Sequence, residues 1–255
     1  MMTSFLARKR KSRTARKHRS RWQRFWRITA ALLLFFIATS CLSVLLLRWI
    51  PPVTTAFMCY RHYQDFQENR PFTRIDFSWT SLDRISPQMA KAVIAAEDQR
   101  FLRHRGFDFD AMLTAVDDYF EQGRLRGAST ITQQVAKNLF LVPAKSFLRK
   151  IVEAWFTVLI ESMWSKRRII EVYLNIAEFG DHLFGVEQAS RRYFGIPADR
   201  LNARQAALLA ATLPNPGKFH ADRPSSYLRQ RQGWILAQMT RLPRRYYASL
   251  FAQNQ

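Results

Sequence analysis

One carboxylate at the end of an apolar helix face has the means to do acid–base chemistry. Ser86 followed by Pro87 predicts a helix start, because serine caps helices and proline fits their first turn. Apolar residues then recur at helical spacing, and the same face continues to Glu97 and Asp98. A carboxylate that extends an apolar stripe loses solvation, so its pKa rises toward the range useful for a general base. The alternative is that Glu97 only ends the helix and points into water.

A second helix carries amides and hydroxyls where a solvated face would carry charges. Thr130 and Gln133 fit the capping box that begins a helix, and Ile131 starts an apolar repeat of every four residues. The polar residues of the segment are Ser129, Thr130, Gln133, Gln134, Lys137 and Asn138. Solvated faces are usually rich in Glu, Lys and Arg. The pattern therefore fits either a surface that binds a polyhydroxylated, partly anionic ligand or an ordinary solvated face.

A third group of chemically capable residues lies in the helix predicted for residues 146–163. Arg149 and Glu153 stand one turn apart on its polar side, with Lys150 beside them. By spacing alone this is typical of a surface ion pair worth a few tenths of a kcal/mol. The functional alternative is a carboxylate held beside cations that face an anionic substrate.

The N-terminal part of the chain predicts the element that places these helices at a membrane. Residues 28–47 carry no charge, and a helix of about 20 residues spans the ~30 Å apolar core of a bilayer. Tryptophans 22, 26 and 49 flank the segment, as interfacial anchors do. A cleaved signal peptide is the rival interpretation, but its apolar core is usually about 7–15 residues. We therefore predict a transmembrane anchor over residues 28–49.

Charge predicts the orientation of this anchor. Residues 1–27 hold eleven Lys or Arg and no acid, out of a net charge of +21 for the chain. Because positively charged segments next to a membrane span usually stay on the cytoplasmic side, we expect this basic arm in the cytoplasm and the residues after the anchor on the other side of the membrane. We therefore interpret the basic arm as a signal that sets the membrane topology. No nucleic-acid partner is expected. Residues 50–74 are predicted to be a connector, and residues 75–255 the catalytic domain, helical almost throughout.

Five ordered stretches resemble the signature motifs of the peptidoglycan glycosyltransferases, family 51 of the glycosyltransferases. They read EDQRFLRHRG (97–106), GASTITQQ (127–134) followed by KN (137–138), RKIVE (149–153), SKRRIIEVYLN (165–175) and ALLAATLPNP (207–216). The resemblance covers roughly residues 75–220. It is greatest to the monofunctional members, because the S-x-x-K and K-[ST]-G motifs of the transpeptidase domain found in larger relatives do not occur.

The resemblance implies a fold: a mainly α, lysozyme-like helical domain after a single transmembrane helix, with a small jaw lobe facing the membrane. This lobe would lie within residues 107–145. Its candidate apolar surface residues are Phe107, Phe109, Met112, Leu113, Phe120, Leu139, Phe140 and Leu141. Burial in the core is the alternative for each of them.

The resemblance also implies a reaction. Lipid II would be polymerised into glycan strands by inverting transfer, with release of polyprenyl diphosphate. Glu97 matches the catalytic base of the family, and Glu153 matches its second glutamate. Glu153 would assist the departing diphosphate or hold a divalent cation, Mg²⁺ or Mn²⁺, beside it.

The remaining motif residues divide into two groups. The predicted substrate-binding residues are Ser129, Thr130, Gln133, Gln134, Lys137, Asn138, Arg149 and Lys150, of which the three cations would bind diphosphate oxygens. The predicted structural residues of the first motif are Asp98, Phe101, His104 and Gly106. The family further implies the bacterial inner membrane, a periplasmic catalytic domain, and lipid II, the growing strand and membrane lipid as partners. Proteins of cell-wall synthesis or division are further candidates.

Two other functions fit parts of the sequence. A membrane-anchored lytic transglycosylase shares the lysozyme-like plan and needs one catalytic glutamate, but the GASTITQQ and RKIVE stretches argue against it. A non-catalytic cell-wall scaffold would predict the loss of a glutamate, whereas Glu97 and Glu153 are both present.

Overall fold

The computed structural model describes residues 3–123, 127, 129–144, 146–243 and 248–251, with the side chains of residues 3–21 and 122 left out. The chain divides into two units, Met1–Leu46 and Leu47–Gln255.

The first unit is formed by one long helix, α1, which spans Thr3–Leu47. Within it, Trp22–Leu47 is a 26-residue apolar stretch whose length and composition suffice to cross a membrane. Leu34 and Phe35 are 66% and 68% exposed, as expected of side chains that would face lipid. The predicted apolar helix is therefore confirmed. It ends at Leu47, two residues before the predicted boundary, and the basic arm continues the same helix backwards to Thr3.

The second unit is mainly helical, which confirms the predicted mainly α class, while the lysozyme-like plan stays a prediction. Its helices are α2 (Ala56–Gln67), α3 (Pro87–Glu97), α4 (Phe109–Gln122), α5 (Ile131–Phe140), α6 (Phe147–Met163), α7 (Lys166–Ile176), α8 (Val186–Phe194), α9 (Ala203–Thr212) and α10 (Ser226–Arg241). Short 3₁₀ turns occur at Leu82–Arg84 and Ala198–Arg200.

A small sheet accompanies these helices. Its strands are β1 (Asp76–Phe77), β2 (Glu178–Gly180) and β3 (Leu183–Phe184), in the order β1-β3-β2. Strand β3 pairs with β1 in parallel and with β2 in antiparallel fashion. The sequence predicted neither these short strands nor α2, which lies inside the predicted connector and packs against α5.

The core of the second unit forms where α3 packs against α9 and α10, and α5 against α6 and α7. Met89, Val93 and Ile94 of α3 are fully buried, as are Ile131 and Val135 of α5. The predicted helix starts are confirmed at both helices. The Ser86 side chain caps α3 with Pro87 in its first turn, and Thr130 and Gln133 form the capping box of α5.

Helix α4 presents apolar side chains to solvent. Phe109, Leu113 and Phe120 are 67%, 65% and 80% exposed, and Met112 is 39% exposed. Among the residues proposed for the jaw lobe, Phe107, Phe140 and Leu141 are partly buried and only Leu139 belongs to the core. The apolar surface predicted for this region is therefore present on α4. Its contact with a membrane stays a prediction.

Candidate active site

Glu97 is the last residue of α3, so the apolar face of that helix leads directly to its carboxylate. The side chain is only 15% exposed. Burial raises the pKa of Glu97, and the neighbouring Asp98 charge raises it further, while a hydrogen bond from Gln134 and the charges of Arg231 and Lys137 lower it. Burial is the largest of these effects, which confirms the desolvation predicted from the sequence.

Two hydrogen bonds in series hold the Glu97 carboxylate. Gln134 Nε2 donates to Glu97 Oε2 at 3.0 Å, and Tyr173 Oη donates to Gln134 Oε1 at 3.1 Å. Burial raises the pKa of Tyr173 well above its ordinary value, and the charges of Glu97 and Asp98 act in the same direction. Tyr173 therefore keeps its proton and fixes the amide of Gln134 with its N–H₂ toward Glu97. Gln134 thus holds Oε2 in place, while Oε1 faces Arg231 Nη2 at 3.5 Å.

Adjoining cavities form a cleft around this carboxylate. The largest, about 880 Å³, lies between Glu97 and Gln134 on one side and Arg231 and Trp234 of α10 on the other. A cavity of about 330 Å³ shares Glu97 and Trp234 with it and continues toward α4. A third cavity, about 200 Å³, shares Gln134 with the first and reaches Lys137. Glu97 thus lies at the junction of two cavities, and Lys137 lies in the next one.

A cluster of cations surrounds the second glutamate. Glu153 of α6 is 3% exposed and accepts from Arg149 Nη1 at 2.7 Å and from the Lys150 ammonium. Arg149 and Lys150 are more exposed, at 22% and 47% of their side chains. The geometry therefore differs from a surface ion pair, because the carboxylate is buried and two cations share it.

Lys137 connects the two glutamates electrostatically. Burial lowers the pKa of Lys137, Glu153 raises it, Arg149 and Lys150 lower it, and Glu97 raises it. Lys137 is thus a partly desolvated cation whose charge is felt at both carboxylates. A cation in that position has a strong tendency to take an anionic partner from a ligand.

The other polar residues of α5 differ in what they can offer a ligand. Thr130 is 3% exposed and donates to the Gly106 carbonyl at 2.6 Å, and Gln133, at 4% exposure, accepts from the Thr130 N–H at 2.9 Å. Both side chains are engaged in starting α5. Asn138 is 8% exposed but lines the cavity of Lys137, and Ser129 is exposed at the mouth of the cleft. Direct binding by Thr130 and Gln133 stays a prediction, and the geometry supports it less than it supports Gln134.

The first motif fastens α5 to the end of α3. Asp98 Oδ2 accepts from the Ile131 N–H at 3.0 Å, and Asp98 Oδ1 lies 2.8 Å from His104 Nε2. Phe101 is fully buried. Gly106 has φ +86°, and a Cβ at this position would lie 2.7 Å from Thr157 Cγ2. These contacts fix where α5 begins relative to α3, and so where Gln134 meets Glu97.

Three residues at the cleft were not assigned a role from the sequence. Tyr173 lies inside the SKRRIIEVYLN stretch, on an apolar helix face, so the sequence shows no hydrogen-bond partner for its hydroxyl. Arg231 and Trp234 lie on α10, beyond the five stretches, and Arg231 Nη2 approaches Glu97 Oε1 at 3.5 Å. A Trp three residues after an Arg is a weak signal, since it shows only that the two share one helix face.

The donor set near Glu153 does not fit a divalent cation held by the protein alone. Both oxygens of the carboxylate already accept from cations, and Lys137 adds a third positive charge nearby. Divalent cations of this kind take oxygen ligands from carboxylates, carbonyls and water. The arrangement instead suits a multivalent anion, and Mg²⁺ or Mn²⁺ at this site stays a prediction.

Similarity to known proteins shows the family of the chain. The model of a family described as Transglycosylase matches residues 65–240. The chain belongs to this family. A biosynthetic peptidoglycan transglycosylase of Pseudomonas putida is 50% identical over 210 residues, which cover 82% of this chain and 89% of the relative. Proteins of the same name from Pseudomonas syringae pv. syringae and Shewanella oneidensis are each 49% identical, over 82% and 85% of this chain and 89% and 91% of their own lengths.

Within this family, the site combines the two functions that glycosyl transfer to a hydroxyl needs. A desolvated carboxylate of this kind is suited to accept a proton, and a group of cations is suited to stabilise a departing anion; these roles for Glu97 and the cations stay predictions. The family match also covers most of α10, a helix that lies beyond the sequence motifs, but only the last three residues of α2.

Proposed function

We propose that this chain is a peptidoglycan glycosyltransferase that polymerises lipid II into glycan strands. One observation carries the proposal: the cleft lined by the buried Glu97 and by Gln134 adjoins the cavity of Lys137, whose charge interacts with Glu97 and with the ion-pair cluster of Arg149, Lys150 and Glu153. The relatives named as biosynthetic peptidoglycan transglycosylases support it.

In the proposed reaction, the acceptor sugar hydroxyl attacks the anomeric carbon of the donor. Glu97 takes the hydroxyl proton as the new C–O bond forms, with Gln134 keeping the carboxylate in place. The bond between the anomeric carbon and the diphosphate oxygen breaks on the opposite face, and both bonding electrons leave with the polyprenyl diphosphate. Attack and departure on opposite faces invert the anomeric centre.

The cation cluster would bind the diphosphate as it departs. Lys137, Arg149 and Lys150 bring three positive charges, of which one is balanced by Glu153. Negative charge accumulates on the diphosphate as the bond breaks, so the attraction is stronger in the transition state than in the ground state. Glu153 would serve mainly to hold Arg149 and Lys150 in position.

The membrane context of the proposal follows from the substrate lipid. Prenyl chains remain in the bilayer, so an enzyme anchored by α1 meets donor and growing strand at the same surface. We propose the inner membrane, with residues 1–27 in the cytoplasm and the catalytic unit in the periplasm. A phosphatase reporter fused after Gln255 should be active, and activity of a cytoplasm-only reporter instead would reverse this orientation.

Purified full-length chain in detergent, supplied with labelled lipid II alone, tests the activity. We expect polymer that muramidase digests, together with released polyprenyl diphosphate. Shortening of a pre-made glycan strand without use of lipid II would identify a lytic enzyme. Binding of lipid II with no product would identify a scaffold. A parallel reaction with a chelator tests whether a divalent cation is needed.

A further inference from the structure

Three potential metal ligands outside the five motifs meet at one place. His62 and Asp65 stand one turn apart on α2, and His182 lies in the turn between β2 and β3. One donor atom of each residue lies within 4.8 Å of the donor atoms of the other two. Residues separated by 120 positions of sequence are therefore brought together as two imidazoles and one carboxylate.

Asp65, His182 and the Nδ1 atom of the partly buried His62 are shielded from water, and two of the ring nitrogens have no hydrogen-bond partner among the described residues. Asp65 and His182 are 4% and 3% exposed, and His182 Nε2 lies 2.7 Å from Asp65 Oδ2. His62 Nδ1 is buried and has no hydrogen-bond partner among the described residues. His182 Nδ1 lies 3.2 Å from Asp181 Oδ1, but not in hydrogen-bonding geometry. Buried polar atoms without partners are uncommon, and an ion is one of the things that satisfies them.

We propose that His62, Asp65 and His182 form a zinc site that joins α2 to the β2–β3 turn. Two imidazoles and a carboxylate are a donor set that Zn²⁺ prefers, with water as a fourth ligand. Bonds of about 2.0–2.2 Å would place the ligand atoms roughly 3.3 Å apart, so each side chain moves by about an ångström or less. The ion would take the place of the contact between His182 Nε2 and Asp65 Oδ2.

The surroundings favour the ion over a simple His–Asp pair. A pair between Asp65 and His182 leaves the buried nitrogen of His62 without a partner, whereas a metal uses all three residues. Asp181 Oδ1 lies 3.2 Å from His182 Nδ1, so a small rotation of either side chain would form the hydrogen bond that metal-bound histidines usually donate to a carboxylate.

The nearby arginine does not exclude a cation. Arg61 Nη2 lies 2.7 Å from Glu178 Oε1 and 3.0 Å from Asp181 Oδ1, so its charge is balanced by two carboxylates. Because α2 packs against α5, an ion in this site would brace the helix that carries Gln134 and Lys137. The zinc site is thus structural and separate from the reaction.

The test uses the full-length protein in detergent, stripped with chelator and then supplied with ZnCl₂ alone. Calorimetry should show one zinc per chain, and zinc at about 100 times its Kd should raise the Tm by roughly 5–10 °C. His62→Gln should weaken zinc binding by at least about 100-fold, more than the loss of an outer-shell partner does. His220→Gln, at an exposed histidine outside the cluster, should bind zinc like the parent. MgCl₂ should not substitute, since Mg²⁺ prefers oxygen ligands.

Less than 0.2 zinc per stripped and reloaded parent chain would overturn the proposal, whatever the variants do. Equal zinc affinity in the parent and His62→Gln would overturn it as well. The metal-free Tm of His62→Gln should stay within a few degrees of the parent, since its Nδ1 makes no hydrogen bond. If that variant is unfolded, zinc X-ray absorption of the parent decides, and a spectrum without imidazole ligands contradicts the site.

Discussion

Gln134 donates its amide hydrogen to Glu97 Oε2 at 3.0 Å while accepting from the buried hydroxyl of Tyr173 at 3.1 Å. The first bond lowers the pKa of a carboxylate that burial raises. The amide therefore both positions Glu97 and limits how far burial raises its pKa. Tyr173 acts through Gln134, so it is a positioning residue whose effect should be visible in the pH dependence of the reaction.

Tyr173→Phe should shift the acidic limb of the rate–pH profile to higher pH. Without the hydroxyl the Gln134 amide is free to rotate, and Glu97 loses the hydrogen bond that lowers its pKa. Turnover at neutral pH should fall by roughly 3–10-fold, the usual worth of one hydrogen bond. Tyr193→Phe is the matched control, because its hydroxyl donates to the Phe179 carbonyl at 3.1 Å, away from Glu97. Equal pH profiles in both variants and the parent would exclude the positioning role.

Lys137→Ala should reduce polymerisation far more than it reduces stability. Loss of a partly buried cation opposite a diphosphate should cost about 2–5 kcal/mol of transition-state stabilisation. Lys218→Ala removes an exposed lysine outside the cleft and should leave the rate unchanged. The measurements are single-turnover rates with labelled lipid II and the Tm of each variant. Turnover close to that of the parent would remove Lys137 from the site.

Local signals in the sequence predicted where α3 and α5 begin. The serine and proline at 86 and 87 predicted the start of α3, and the Thr130–Gln133 spacing predicted the capping box of α5. The apolar face leading to Glu97 predicted its burial and the direction of its pKa shift. In each case the cause lies within one or two helical turns, and so in adjacent sequence.

Contacts between segments that are distant in the sequence could not be predicted from residue spacing. Tyr173 meets Gln134 because α7 packs against α5, and Arg231 meets Glu97 because α10 packs against α3. Spacing also favoured a surface ion pair for Arg149 and Glu153, since the packing of α5 on α6 that buries Glu153 is not local. The family resemblance predicted this part of the site. The roles of the site residues are still predictions.

Gly106→Ala should destabilise the protein through a steric clash that the matched control, Gly123→Ala, does not create. Gly106 and Gly123 both have positive φ, +86° and +64°, so alanine strains the backbone at either position. A Cβ at Gly106 would meet Thr157 Cγ2 at 2.7 Å, whereas nothing lies within 4 Å at Gly123. Both variants should lose about 1 kcal/mol from strain, and Gly106→Ala a further 1–3 kcal/mol from overpacking. Chemical denaturation measures both, and equal losses would show that the contact with Thr157 relaxes at little cost.

Glu97→Gln should lower turnover without lowering the stability of the protein. Glutamine keeps the shape and can still pair with Gln134 but cannot accept the proton, so turnover should fall by roughly 10²–10⁴-fold. Because burial raises the pKa of Glu97, the folded protein holds this proton more tightly than the unfolded chain does. The group therefore favours folding below its unfolded pKa, near 4.5, and this contribution is lost as pH rises through the folded pKa.

The variant should consequently be as stable as the parent near pH 4 and equally or more stable at pH 7. Thermal unfolding at both pH values, with lipid II binding measured at pH 7, checks this expectation. Glu161→Gln is a control at another buried carboxylate, one that accepts from Lys166 at 2.7 Å and lies outside the Glu97 cleft. It should lose stability while the folded fraction keeps its turnover. Polymerisation by Glu97→Gln within tenfold of the parent would show that another group takes the proton, and the desolvation of Glu97 would then need a different explanation.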